Sequence, residues 1–298
     1  LTSSLHIEHD HPHSAVSDAE ATADLLNDLL KRVQELPTLT LEKITQLKLN
    51  LPQQTAGVFD AELQRRRKSP QPLSEELYVS HGIVLHKSRP ITANGQREKH
   101  KYPSTKKAKE KLYGDTLRLR PVQAKMMNSI YNNYTHAEPQ NMIVEAGTGV
   151  GKTLGYLFPL SYVAYLDKKI VVSTATNILQ QQIIDTSIAQ LNKVLPFKMN
   201  SVIIKGNAHY IDIARFVHSL SVIEDSKLVQ LLKAKILVWL LSTQSGDLDE
   251  LNLNSQQSPY FTEIRHQGIR SLNPANAFYH DDFLVRREKR LHQADIII

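Results

Sequence analysis

The chain has 298 residues, room for about two domains, and its 41% hydrophobic and 22% charged residues exclude a wholly disordered protein. Its longest aliphatic and aromatic run near the middle, Ile236–Leu241, is far short of the ~20 residues of a membrane helix. The absence of cysteine excludes disulfides, Fe–S clusters and thiolate sites within these residues and fits a reducing cytoplasm, while the net charge of +6 is unevenly spread.

The start, Leu1-Thr-Ser-Ser-Leu-His6, lacks a basic region, an apolar signal segment and an initiator Met. The last residues, Ala294–Ile298, read as a strand cut in mid-run, so the chain is expected to be an internal piece of a longer protein. A histidine-rich loop containing His6, His9, His11 and His13 opens it; such a set is either incidental or a zinc site. Ser17 and Glu20 have capping-box spacing, and Leu25, Leu26, Leu29, Leu30 and Val33 then follow a helical period that Pro37 ends. A second amphipathic stretch runs from Leu39 to Leu51.

From Pro52 to Tyr113 the composition turns to Gln, Arg, Lys, Ser and Pro, with one short strand candidate at Tyr78–His86, and predicts a connector. Between Ala61 and Arg120, 15 Lys/Arg stand against 6 Asp/Glu, a block that serves either as a polyanion surface or as a solvated linker. Beyond Leu119 the pattern alternates. Helices are expected at Pro121–Tyr134, Gly151–Leu166 and Asn177–Leu195, with apolar strands at Asn141–Ala146, Lys169–Ser173, Ser201–Lys205 and Asp295–Ile298. That alternation predicts an α/β fold with a parallel sheet and crossover helices, interrupted by a mostly helical insert at 207–294.

Ala146, Gly147, Thr148, Gly149, Val150, Gly151, Lys152 and Thr153 form a glycine loop between a predicted strand and a predicted helix. Successive backbone N–H groups and a helix N-terminus there suit phosphate, with Lys152 reaching the β- and γ-phosphates and Thr153 ligating Mg²⁺. Ala146 stands where the strict pattern has Gly. Arg120 and Gln123 precede the loop at a distance that lets Gln123 approach an adenine edge. Downstream, Thr174, Thr176 and Gln180 lie at a strand end and helix start, the edge at which open α/β sheets bind ligands.

Together, Arg120-Pro-x-Gln123, the loop from Glu145 to Thr153, Ser173–Gln180 and Lys205-Gly206 with Tyr210 resemble the Q motif, motif I, motif Ia and following strand of DinG-type helicases, bacterial relatives of XPD in superfamily 2. The resemblance covers about 113–298 and implies a P-loop RecA-like first helicase domain that binds ATP and Mg²⁺ and contacts DNA through Thr174, Thr176 and Gln180. Lys152 is its implied catalytic residue. The family's Fe–S domain needs four cysteines, which are absent, so the insert is expected to fold without iron on residues such as Leu232, Ile236 and Leu237. A Walker B motif is also missing: Leu248-Asp-Glu-Leu251 follows no apolar strand and reads as a solvated loop.

His13-x-Ala15-x-x-Asp18-Ala19-x-x-Thr22 resembles the last motif of DEDDh 3′→5′ exonucleases of the proofreading type. The resemblance implies that His13 is a general base and Asp18 a ligand of a catalytic divalent metal. Asp18 would equally suit a helix N-terminus, and His13 a surface. The expected organisation is an exonuclease remnant at 1–36, a basic linker at 37–112 and a partial RecA-like domain at 113–298. The whole protein is expected to be cytoplasmic and to act on single-stranded or forked DNA without a membrane, with this piece binding nucleotide. The alternative is a nucleotide-regulated exonuclease whose helicase-like part binds DNA and ATP without unwinding. A P-loop kinase or transferase is disfavoured by Gln123 and the Thr174–Gln182 element.

Overall fold

The computed structural model describes residues 14–89, 98, 100–165, 168–222, 226–251, 258–268 and 273–298. They form two compact units, one from 1–89 with 207–283 and the other from 90–206 with 284–298.

In the first unit, α1 (Ala15–Glu35) begins after Ser14, whose extended backbone takes the cap position. The capping box expected at Ser17 is therefore not used: the helix is capped three residues earlier, and the Asp18 N–H bonds the Ser14 carbonyl at 2.9 Å. Leu36 turns extended ahead of Pro37, as the proline ring demands. Along α1 only Ala21 is buried, and Leu26 and Leu29 are exposed.

The connector expected over 37–112 is folded for much of its length. It holds α2 (Thr38–Gln46), α3 (Gly57–Lys68) and a hairpin of β1 (Leu77–Ser80) and β2 (Ile83–His86). Leu41, Ile44, Leu63, Ile83 and Leu85 are buried in one apolar core with residues from 207–283. Composition misleads here because a few well-spaced aliphatics suffice to anchor a polar stretch once a partner surface covers them. The hairpin turn is His81-Gly82, both at positive φ (47° and 75°), which matches the twist of the strands. Asp281 holds it by accepting from Tyr78 Oη at 2.6 Å and Ser80 Oγ at 2.7 Å, and the His81 ring stacks on Phe278. From 207–283, α9 (Ile213–Ser221), α10 (Lys227–Trp239) and the short α11 (Pro259–Ile264) bring Phe216, Leu232, Ile236, Leu237, Leu240, Phe261 and Ile264 to the same core.

Part of the basic block is consumed internally. Arg65 and Arg66 both pair with Glu62, and Arg66 also donates to the Gln34 carbonyl. The Arg65 hydrogen bond holds the Glu62 carboxyl below its ordinary range.

The second unit carries α4 (Lys106–Tyr113), α5 (Pro121–Thr135), α6 (Lys152–Tyr165), α7 (Asn177–Gln182) continued by a π-helical turn at Ile183–Ile188, α8 (Ala189–Val194) and α12 (Phe283–Gln293), which begins on the last residue of the first unit. Its sheet is parallel, with β5 (Ile296–Ile297) between β3 (Ile170–Val171) and β4 (Ser201–Val202). The register pairs Ile296 with both Ile170 and Ser201. Ile296 and Ile298 of this central strand are buried and Ile297 is half-buried, as suits the apolar interior of a parallel sheet. This mixed α/β arrangement is consistent with the RecA-like architecture expected. The strand expected at 141–146, however, pairs with nothing among the described residues, and Ile143 is 99% exposed. Its apolar run equips it for a sheet interior, but a ladder needs a neighbour.

The second core is aromatic: Tyr102 stacks on Tyr131 at 3.9 Å, and Tyr113 meets Phe158 edge-on at 5.4 Å. Lys109, one of the basic block, is fully buried there. Its ammonium donates to Pro103 O at 2.6 Å, Ser104 O at 3.1 Å and Asn128 Oδ1 at 2.5 Å, and lies 4.8 Å from the Tyr102 ring centre. Desolvation pushes its pKa down from 10.5 to about 8. The cost of burying the charge is thus fully present below about pH 8 and is relieved as pH rises toward 10.5. The Lys109 Nζ resonance should titrate near pH 8 by NMR, and Lys109→Met should remove the rise in stability across that window. Titration at an ordinary lysine value would contradict this account.

Candidate functional site

The glycine loop lies in the second unit, between the extended segment 141–146 and α6. Asn133 fixes the approach, donating to Gln140 O at 2.8 Å and accepting from Gln140 N at 3.1 Å. Gly149 and Gly151 take positive φ of 77° and 80°, conformations that side chains resist. Gly151 is constrained twice. A Cβ there would stand 2.5 Å from Gln123 Nε2.

Gln123, on the first turn of α5, is 3% exposed. Its Nε2 donates to Gly151 O at 2.8 Å, and the same carbonyl accepts from Gly155 N at 2.9 Å. Its Oε1 is buried without a hydrogen-bond partner. A buried acceptor left open beside a phosphate-type loop fits a donor such as an adenine amino group. Arg120 reaches the same loop, its Nη1 lying 3.8 Å from where a Gly149 Cβ would be. Lys152 opens α6, and its Nζ donates to Ala146 O at 3.1 Å, curled across the loop. The structure therefore brings Arg120, Gln123, Ala146, Gly149, Gly151 and Lys152 together, and Thr153 follows on the first turn of α6. Beside the loop, Met126, Ile130, Met142, Val144, Tyr156 and Val171 line a cavity of about 350 Å³ that Lys152 also borders.

Thr174, Thr176 and Gln180 stand at the carboxyl end of β3 and the start of α7. Thr176 caps the helix by accepting from Leu179 N at 3.3 Å, and Thr174 Oγ1 donates to Thr176 O at 3.1 Å. Gln180 Nε2 donates to Ile204 O at 3.2 Å, while its Oε1 is buried without a partner. Asp18 lies in the first turn of α1, where its carbonyl accepts from Thr22 Oγ1 at 2.7 Å. His13, like His6, His9 and His11, falls outside the described residues.

Two features escaped the sequence reading. Leu248–Leu251 is a 3₁₀ turn of the first unit rather than a solvated loop. Leu248 is buried, and Glu250 accepts from Trp239 Nε1 at 3.0 Å and Thr243 Oγ1 at 2.7 Å. These partners come from seven and eleven residues upstream, beyond the span of a helical or strand period. Nearby, His209, Asp247 and Asp249 place one ligand atom each within 4.8 Å of one another, a group able to hold a cation. The bridge between Tyr210 and Asp247 brings these two segments side by side.

Because Gly151 combines a left-handed backbone with a near contact, Gly151→Ala should destabilise the protein by about 1–2 kcal/mol. Gly57 has open space and no such φ, so Gly57→Ala should be neutral or slightly stabilising. Thermal denaturation of the pair checks this, and equal effects would remove the argument for the loop geometry.

Residues 120–252 match the DEAD/DEAH box helicase family. A protein named 3′-5′ exonuclease DinG from Bacillus subtilis (strain 168) is 29% identical over 260 residues, covering 86% of this chain and 28% of its own length. One of the same name from Staphylococcus aureus (strain bovine RF122 / ET3-1) is 29% identical over 289 residues, covering 95% of this chain and 31% of its own. The chain thus spans about three-tenths of the length of the curated relatives it matches. No helix among the described residues is long and apolar enough to cross a membrane. Along most of its length, therefore, the chain is similar to DinG-type proteins, and 120–252 is the stretch that matches the DEAD/DEAH box helicase family.

Proposed function

We propose that this chain supplies the nucleotide-binding part of an ATP-dependent DNA helicase joined to a 3′→5′ exonuclease, acting in DNA repair or replication. The observation that carries the proposal is the loop at Ala146–Thr153, with glycines at positive φ, Lys152 at its end and Gln123 locked onto Gly151. In this reading the loop N–H groups and Lys152 hold the triphosphate, Thr153 holds Mg²⁺, and Gln123 Oε1 receives the base. Magnesium supplies charge neutralisation at the phosphates. Arg120 adds positive charge beside them. Thr174, Thr176 and Gln180 border the DNA path. Residues 113–298 then belong to a first RecA-like domain, with 207–294 as its helical insert.

Residues 1–36 are read as the end of the exonuclease, with His13 as general base and Asp18 as metal ligand. The printed names of the relatives support that reading. Forked or single-stranded DNA in the cytoplasm is the expected setting.

For the loop, Lys152→Ala should abolish ATP–Mg²⁺ binding by calorimetry, since its ammonium is the cation hydrogen-bonded across the loop. Equal affinity in parent and variant would defeat the assignment. For the nuclease, His13→Ala in the full-length protein should remove metal-dependent 3′→5′ degradation and leave ATP binding intact. Unchanged degradation of single-stranded DNA would show the His13–Thr22 match to be accidental.

A further inference from the structure

Lys109 is turned into the aromatic core of the second unit, and that orientation fixes which way the rest of α4 faces. Residues two apart on a helix point to different sides, so Lys107 and Lys111 stand away from Lys109. Both are exposed. Four residues separate them, which puts them side by side on the outer face, about 5–6 Å apart at Cβ. The helix that carries them is firmly held. Thr105 caps it by accepting from Ala108 N at 3.2 Å, Lys109 is tied to Pro103 O and Ser104 O, and Tyr113 is buried.

The surface is cationic beyond those two. Of the eight Lys/Arg between 101 and 125, all but Lys109 are exposed, and two acids, Glu110 and Asp115, oppose them. Glu110 is already paired with Lys106 at 3.6 Å. Among the described residues, no hydrogen bond or ion pair engages the Lys107 or Lys111 ammonium.

The character of the surface narrows its partner. Among the described residues, no large hydrophobic side chain is exposed between 101 and 120. A helix that lies on a membrane needs an apolar face, and a protein interface draws on aromatic or aliphatic anchors. A strip of lysines with neither suits a phosphate backbone, where affinity comes from neutralised phosphates and released counterions. A nucleic-acid strand carries one phosphate per about 3.4 Å of axis, so two ammonium groups at this spacing reach two phosphates of the same strand.

We propose that the outer face of α4, centred on Lys107 and Lys111, contacts the phosphate backbone of a nucleic-acid strand. The inference rests on the DNA reading above and adds a surface separate in sequence from Thr174, Thr176 and Gln180. The basic block thus divides. Arg65, Arg66 and Lys109 serve the fold, and the outer lysines of α4 serve the polyanion.

The 298-residue chain is titrated with fluorescent oligo(dT) by anisotropy across a salt series. Lys107→Gln/Lys111→Gln should weaken binding about tenfold and lower the magnitude of the salt slope by about 1.4, two contacts at about 0.7 each for a single strand. Glutamine keeps the helix propensity of lysine, so thermal denaturation of this variant should match that of the parent. Lys107→Arg/Lys111→Arg should keep both affinity and slope. Lys193→Gln/Lys198→Gln removes the same charge from exposed positions elsewhere in the second unit and should leave the slope nearly unchanged. An unchanged slope in the α4 glutamine pair, or an equal loss in the two glutamine pairs, overturns the inference and leaves the DNA reading standing. A parent chain that binds no oligo(dT) overturns it together with the DNA contact assigned to Thr174, Thr176 and Gln180.

Discussion

The carbonyl of Gly151 accepts two hydrogen bonds, from Gly155 N and from Gln123 Nε2, and the geometry of the loop follows from that meeting. The first bond starts α6. The second ties α6 to the opening turn of α5, leaving no room for a side chain at residue 151. With Gly149 and Gly151 both left-handed, the backbone curls instead of continuing as strand. Lys152 is thereby delivered across the loop onto Ala146. A buried amide that satisfies its donor and leaves its acceptor open is poised for a ligand donor, because an orphaned buried polar atom costs free energy that binding can recover.

Charge is taken up internally in two ways. In the first, Glu62 gathers Arg65 and Arg66, so a run that looks like a polyanion surface is partly an internal tie. The second unit encloses a lysine whole. Lys109 remains there because two carbonyls and an amide oxygen meet its donors, and the price of desolvation appears as a lowered pKa. Lys233 repeats the device against Ser219 O in the first unit. Such lysines contribute nothing to a solvated cationic face, and so counting positive charges overstates the surface open to an anion.

The absence of cysteine has a structural counterpart. Residues 207–283 fold around Phe216, Leu232, Ile236, Leu237, Phe261 and Ile264, joined by aliphatics from α2, α3 and β2. Burying side chains of this size contributes roughly 1.5–3 kcal/mol each, enough for a core without a metal at its centre.

The sequence by itself determined what depends on neighbours a few residues away. The glycines and Lys152 mark the loop, Thr176 marks the start of α7, Pro37 ends the first helix, and the helical periods locate α5, α6 and α10, all through local steric and hydrogen-bonding rules. The tertiary structure alone decided what depends on distant partners. Residues 141–146 have the apolar pattern of a strand, but pairing requires an adjacent chain, and among the described residues none is there. The stretch 38–86 reads as a connector until residues 207–283 cover its few aliphatics. Asp249 and Glu250 read as loop residues without partners until the fold brings His209 and Trp239 to their still partly exposed carboxylates. Periodicity records which side chains can be buried; only the packed fold selects the surface that buries them, because that free energy belongs to the pair and not to either segment.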